Sequence, residues 1–106
     1  MNKILICFGT RPEYIKVKSL IDKLKNVKTC FTGQHKDLLK NIDVDYELSM
    51  EKNISNNRLN NIFCNIFSYS NIFDDMEYVL VQGDTSTACA IAISAFNNNK
   101  KIIHLE

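Results

Sequence analysis

The sequence predicts an α/β protein with a Rossmann-like parallel sheet, and two observations lead to this prediction. Short apolar runs, typical of strands buried on both faces, alternate with segments whose apolar residues recur at helical spacing. Three of these runs end in a glycine, and the 106-residue chain has only three glycines. Alternating strands and helices favour parallel pairing through right-handed crossovers. Since no linker or repeat interrupts the pattern, we expect one domain over residues 1–106.

Four apolar runs are expected to form the strands of this sheet. They are KILICF at 3–8, KTCFTG at 28–33, EYVLVQG at 77–83 and KIIHLE at 101–106. The first is closed by Gly9, and the next two end in Gly33 and Gly83. The polar, asparagine-rich stretch 43–58 is typical of a loop, with a short strand expected at 46–48.

Four segments are expected to be helical. One begins at Pro12 and ends at Lys25, and its apolar residues recur at spacings of three and four: Tyr14, Val17, Ile21 and Leu24. Shorter helices are expected over 35–42 and 59–67. The last helix, 85–97, carries a face of mostly small residues suited to close packing on a sheet: Ala88, Ala92, Ala95 and Phe96.

Composition excludes several classes of function. A formal net charge of +1 provides no basic field for nucleic acid or an anionic membrane. No CxxC pair is present for a metal centre, and all four cysteines lie in apolar runs, so we expect buried free thiols: Cys7, Cys30, Cys64 and Cys89. Free thiols suit a reducing cytosol, and the first apolar run is too short for a signal peptide. A cytoplasmic location is therefore expected.

Each glycine at a strand end is followed by a polar cluster. These clusters are Thr10-Arg11, Gln34-His35 and Asp84-Thr85. The carboxyl ends of parallel strands meet at one edge of the sheet, where open α/β folds bind their ligands. Neither GxGxxG after the first strand nor GxxxxGK[ST] is present, which argues against a bound dinucleotide or a Walker-type NTPase. The sequence predicts a ligand site without an organic cofactor or a metal.

The first cluster combines a helix start with an unexplained cation. Thr10 and Glu13 have the spacing of a capping box, and Pro12 suits the first helical turn. Arg11 is not needed for this purpose, because a helix N-terminus already carries partial positive charge. Its compensating anion is either Glu13 or a phosphate held by the guanidinium and an exposed Gly9 backbone. Lys16, about one turn further on, either serves the same anion or is solvated.

Three further polar residues follow strand ends. Asp84 is either the N-cap of the last helix or a base at the active edge. His35 is either a proton carrier or a hydrogen-bonding surface residue. His104 and Glu106 share one face of the last strand by period-two alternation, and Glu106 stands at its carboxyl end.

Four segments together resemble the non-hydrolysing UDP-N-acetylglucosamine 2-epimerases. They are FGTRPEYIK at 8–16, TGQH at 32–35, VQGDTST at 81–87 and HLE at 104–106. The resemblance covers the whole chain but only about the first third of a typical member. It implies a GT-B type fold of two Rossmann-like domains with a sugar nucleotide between them. Residues 1–106 would then form part of the first domain, and the second domain would be absent.

The resemblance also implies a reaction and the residues that serve it. Members of this family interconvert UDP-N-acetylglucosamine and UDP-N-acetylmannosamine by eliminating UDP and adding it back. Asp84 and Glu106 match two acid/base carboxylates, while Arg11 and Lys16 match basic residues that serve the phosphates. The remaining expected substrate contacts are Gly9, His35 and Thr85.

Other catalytic residues of the family lie downstream of the matched segments, so we expect little or no turnover by the isolated chain. One alternative is a non-catalytic remnant of an epimerase. Another is a split-protein module, completed across an exposed sheet edge by a separately encoded partner chain. A homodimer is a further expectation from the resemblance.

Overall fold

Five parallel strands form the sheet in the computed structural model, which describes residues 3–33, 41–50 and 55–106. They are β1 (Ile4–Phe8), β2 (Val27–Phe31), β3 (Tyr46–Glu47), β4 (Tyr78–Gln82) and β5 (Lys101–Leu105). Their order in the sheet is β3-β2-β1-β4-β5, and each neighbouring pair is parallel. The predicted parallel α/β fold is confirmed, including the short strand in the asparagine-rich stretch.

Within the described ranges, three α-helices connect or flank these strands. They are α1 (Arg11–Lys23), α2 (Arg58–Phe67) and α3 (Ser86–Asn97), and a short 3-10 helix (Asn71–Phe73) precedes β4. All three match predicted helices. The helix predicted over 35–42 falls largely outside the described residues. No helix in the described ranges is long and apolar enough to cross a membrane.

The central strands are mostly apolar because helices cover both faces of the sheet. On one face Ile6, Phe8 and Leu80 pack with Val17 of α1. On the other face Leu5, Cys7, Val79 and Val81 pack with residues of α2 and α3, such as Ile62 and Ile91. Alternate residues of one strand therefore enter different cores, which explains why the strand sequences are continuous apolar runs.

Two predictions about burial are wrong. Cys7 and Cys30 are buried, but Cys64 in α2 and Cys89 in α3 are exposed. Phe96 was expected on the packed face of α3, yet it is 70% exposed while Ala95 beside it is fully buried. Successive residues of a helix point about 100° apart, so a helix that packs on the sheet with one side turns part of an apolar run toward solvent.

The strand order places a crevice between β1 and β4. β2 pairs with one side of β1, and β3 lies beyond β2 at the edge of the sheet. The chain then returns, and β4 pairs with the other side of β1. The connections after β1 and β4 consequently diverge at their carboxyl ends. In open α/β sheets this topological switch point is where ligands bind.

Candidate functional site

The start of α1 is fixed by Thr10 and Glu13. Thr10 is the N-cap, and its hydroxyl oxygen accepts from Glu13 N–H at 3.3 Å. The Glu13 carboxylate does not complete the expected reciprocal bond to Thr10. Its Oε1 accepts instead from Gly9 N–H at 2.7 Å. The capping arrangement is thus shifted one residue toward β1.

The environment of Gly9 differs from the expectation, and that of Arg11 removes one of its two alternatives. Gly9 is buried and its N–H is bonded to Glu13, so the predicted exposed Gly9 backbone is wrong. Arg11 is exposed, and it forms no ion pair with any other described residue. Glu13 is therefore not the anion that compensates Arg11 here. An external anion is the alternative that the sequence left open.

The start of α3 is capped by Thr85 and not by Asp84. The Thr85 hydroxyl oxygen accepts from Ala88 N–H at 3.1 Å, and the same hydroxyl donates to Glu13 Oε2 at 2.8 Å. The N-cap role predicted as one alternative for Asp84 is therefore wrong. Asp84 lies one residue earlier and is exposed, at the end of a turn in which Gly83 has a φ of +80°. Its carboxylate faces solvent at the switch point.

A cleft of about 330 Å³ lies at the carboxyl ends of β4 and β5. It is lined by charged and polar residues from three elements and by one glycine: Lys16, Gln82, Gly83, Asp84, His104 and Glu106. The structure thus brings the two predicted carboxylates to one cleft with one predicted cation. Two acidic side chains beside a lysine suit proton transfer next to an anionic group.

Three of the lining residues were not predicted as site residues: Gln82, Gly83 and His104. His104 lies within 2.7 Å of Gly83 O through its Nε2 atom. Because a carbonyl oxygen can only accept, Nε2 carries the proton in this contact. The alternation that places His104 on the face of Glu106 was the available signal. Gln82 is 5% exposed, and nothing in its sequence context distinguished it from the strand core.

Of the remaining predicted residues, three are not among those that line this cleft, and one lies outside the described ranges. Gly9 lies in the turn after β1, Arg11 is the first residue of α1, and Thr85 follows Asp84 directly. His35 lies outside the described residues. Within the described part of the chain, no three His, Cys, Asp or Glu side chains are grouped to hold a metal ion.

Sequence comparison places the chain among epimerases. No family model matches it. A UDP-N-acetylglucosamine 2-epimerase of Salmonella borreze is 37% identical and one of Campylobacter jejuni is 38% identical. Each match covers 100% of this chain and 31% of the relative. The chain therefore spans about a third of the length of these curated relatives.

Solved structures give the same result. The Neisseria meningitidis UDP-GlcNAc 2-epimerase bound to UDP-GlcNAc is 36% identical with a TM-score of 0.83, over 98% of this chain and 32% of that one. The S. aureus MnaA–UDP co-structure is 30% identical with a TM-score of 0.84, over 100% of this chain and 31% of that one. In sequence and in backbone fold, the chain belongs to the UDP-N-acetylglucosamine 2-epimerase family, whose members it matches over about a third of their length.

Proposed function

We propose that the chain forms part of the first Rossmann-like domain of an enzyme that interconverts UDP-N-acetylglucosamine and UDP-N-acetylmannosamine. The observation that carries this proposal is the cleft in which Asp84, Glu106 and Lys16 meet at the carboxyl ends of β4 and β5. Two related proteins support the ligand class, since their solved structures are described with UDP-GlcNAc and with UDP.

The reaction explains why carboxylates and cations are needed together. The proton on C2 of the sugar is not acidic, so its removal must accompany loss of UDP from C1. The C2–H and C1–O bonds break, a C1=C2 double bond forms, and UDP leaves with the electron pair. Addition of UDP with protonation of C2 from the other face gives the epimer. Asp84 and Glu106 are the proposed proton-transfer groups.

The diphosphate is proposed to bind at the N-terminus of α1. Arg11 is exposed there and Lys16 reaches the cleft from the next turn. A guanidinium and a helix N-terminus both favour phosphate oxygens. Gly9 contributes by shaping the turn, because its own N–H is bonded to Glu13. Thr85 holds the turn that carries Asp84. His35 is proposed as a substrate contact only because it belongs to the TGQH motif at 32–35.

We propose that turnover also requires the region of the related epimerases that this chain does not cover. That part would come from a longer chain or from a separately encoded partner. The 106-residue chain should then bind UDP with little or no epimerisation. A cytoplasmic location and a homodimer belong to the same proposal, and no cofactor or metal is part of it.

The test is a UDP titration followed by amide NMR, comparing Arg11→Ala with Arg58→Ala. Arg58 is also the first residue of an α-helix and is exposed, so both variants lose the same charge at the same helical position. We expect UDP to shift the amide signals of Gly9, Arg11 and Asp84. Arg11→Ala should weaken binding about tenfold or more, since a charge-assisted hydrogen bond is lost, and Arg58→Ala should leave it unchanged.

Two results would contradict the proposal. Equal weakening of UDP binding by the two arginine variants would show that the affinity depends on the overall charge of the chain and not on this site. Epimerisation of UDP-N-acetylglucosamine by the isolated chain, free of host enzyme, would show that the rest of the relatives' length is not needed for turnover.

A further inference from the structure

Glu13 is a buried carboxylate that joins two distant segments. It is 4% exposed. Its Oε1 atom accepts from Gly9 N–H at 2.7 Å, and its Oε2 atom accepts from the Thr85 hydroxyl at 2.8 Å. Thr85 lies 72 residues further along the chain. One side chain therefore links the turn after β1 to the turn after β4.

The direction of each hydrogen bond in this link is fixed. A carboxylate can only accept, so the Thr85 proton points toward Glu13. The same Thr85 oxygen accepts from Ala88 N–H at 3.1 Å, and Thr87 Oγ1 lies 3.2 Å away. The N-terminus of α3 is consequently tied through Thr85 to Glu13, with no free choice of hydroxyl orientation.

The link lies where the pairing of β1 with β4 ends. These strands pair from Ile4–Tyr78 to Ile6–Leu80. By contrast, β1 with β2 and β4 with β5 each pair over five residues. The two strands therefore lose their backbone pairing before the carboxyl edge, and beyond that point Glu13 connects them.

Helix capping alone does not explain Glu13. Thr10 already caps α1, and Thr85 already caps α3. A negative charge near a diphosphate also opposes binding of that ligand by simple electrostatics. Because Glu13 weakens diphosphate binding electrostatically, its presence is better explained by the relative position of the two turns that it joins.

We propose that Glu13 is a positioning residue that fixes the start of α1, which carries Arg11, relative to the turn carrying Asp84. The inference rests on the proposed function, because the ligand it serves is the UDP moiety. Glu13 does not touch this ligand. It acts by holding the cation and the acid/base carboxylate at one separation across the switch point.

Three substitutions separate geometry from charge. Glu13→Gln keeps the length of the side chain and removes its charge. The amide oxygen of Gln can accept from Gly9 N–H. Its NH₂ group can donate to the Thr85 oxygen once the Thr85 hydroxyl turns its proton toward Thr87. Glu13→Asp keeps the charge but is one methylene too short to reach both partners. Glu13→Ala removes both bonds.

A matched control is available at Asp45. Its Oδ2 atom accepts from Thr29 N–H at 2.8 Å and from the Thr29 hydroxyl at 3.3 Å, the same two kinds of donor that Glu13 uses. Thr29 is at the middle of β2, away from the carboxyl edge. Asp45→Ala therefore removes a similar pair of bonds without affecting the site.

The first measurement is amide hydrogen exchange without ligand. Glu13→Ala and Glu13→Asp should speed exchange at Ala88, which is bonded to Thr85, by about tenfold or more relative to Asp45→Ala. Glu13→Gln should stay near the wild-type rate. A response at Gly9 with none at Ala88 would overturn the proposal, since the two turns would then not be coupled.

The second measurement is UDP affinity in the same variants. We expect affinity to fall in the order wild type, Glu13→Gln, Glu13→Asp, with about a tenfold loss in Glu13→Asp and no change in Asp45→Ala. Tighter binding by Glu13→Gln than by wild type, with Glu13→Asp unchanged, would show a purely electrostatic effect and overturn the proposal. If the wild-type chain does not bind UDP, the proposed function fails for this chain, and the exchange measurement alone decides on the coupling.

Discussion

Two glycines with the same backbone conformation face different surroundings. Gly33 and Gly83 have φ angles of +88° and +80°, which other residues rarely adopt. A Cβ atom at Gly33 would lie 2.7 Å from Leu48 O, a backbone atom. At Gly83 a Cβ atom would meet nothing within 4 Å. At Gly83, glycine is therefore required only by the backbone conformation. At Gly33, the absence of a side chain also lets the segment after β3 pack closely against the backbone of this turn.

Alanine substitution should separate these two effects. A non-glycine residue in this conformation costs about 1–2 kcal/mol, so Gly83→Ala should lower the free energy of unfolding by that amount. Gly33→Ala should cost at least ~1 kcal/mol more, because Leu48 is held by a hydrogen bond from its N–H to Phe31 O and cannot move freely. Urea unfolding followed by circular dichroism measures both. Equal losses would mean that the close approach at Gly33 is relieved without cost.

At the scale of elements, β1 and β2 share a buried pair of thiols. Cys7 and Cys30 are register partners, and they are 4% and 0% exposed. A hydrogen bond with Cys30 and burial raise the pKa of the Cys7 thiol well above its ordinary value, with smaller contributions from the charges of Cys30 and Glu13. The folded state therefore keeps a proton that the unfolded chain releases.

This difference predicts a loss of stability in alkali. Below the ordinary thiol pKa of 9.0, both states hold the proton and stability does not depend on it. Above that pH the unfolded chain binds fewer protons, so the free energy of unfolding falls by up to ~1.4 kcal/mol per pH unit from this thiol. Urea titrations from about pH 7.5 to about pH 10 should show this fall in wild type and in Cys64→Ala, which lacks an exposed thiol. A slope as steep in Cys7→Ala as in wild type would exclude the thiol as its source.

Strand β4, the start of α3 and the contact between β1 and β4 show what could and could not be predicted from the sequence. Strands such as β4 were predictable because burial on both faces leaves a continuous apolar run. The choice between Asp84 and Thr85 as N-cap was not predictable, since both residue types cap helices well and only the backbone of the turn decides. The bond from Glu13 to Thr85 spans 72 residues, and no local pattern indicates that β1 and β4 are neighbours.

At the scale of the whole molecule, the candidate site joins segments from the beginning, the later part and the end of the described chain. Arg11 is the first residue of α1, the turn after β4 carries Asp84, and Glu106 directly follows β5. These segments are adjacent only when the sheet is formed. A ligand that contacts all of them binds the folded chain and not the unfolded one.

UDP should therefore raise the temperature of global unfolding. At a concentration of 100 times Kd, one site adds about 2.7 kcal/mol, which for a domain of this size is a rise of roughly 10 °C or more. Differential scanning calorimetry of wild type with UDP measures the rise, and uridine at the same concentration is the control. Because the proposed contacts go to the diphosphate, uridine should have little effect, and Arg11→Ala should show a much smaller rise with UDP. A rise with uridine as large as that with UDP would place the main contacts on the nucleoside and remove the argument for Arg11 as the phosphate ligand.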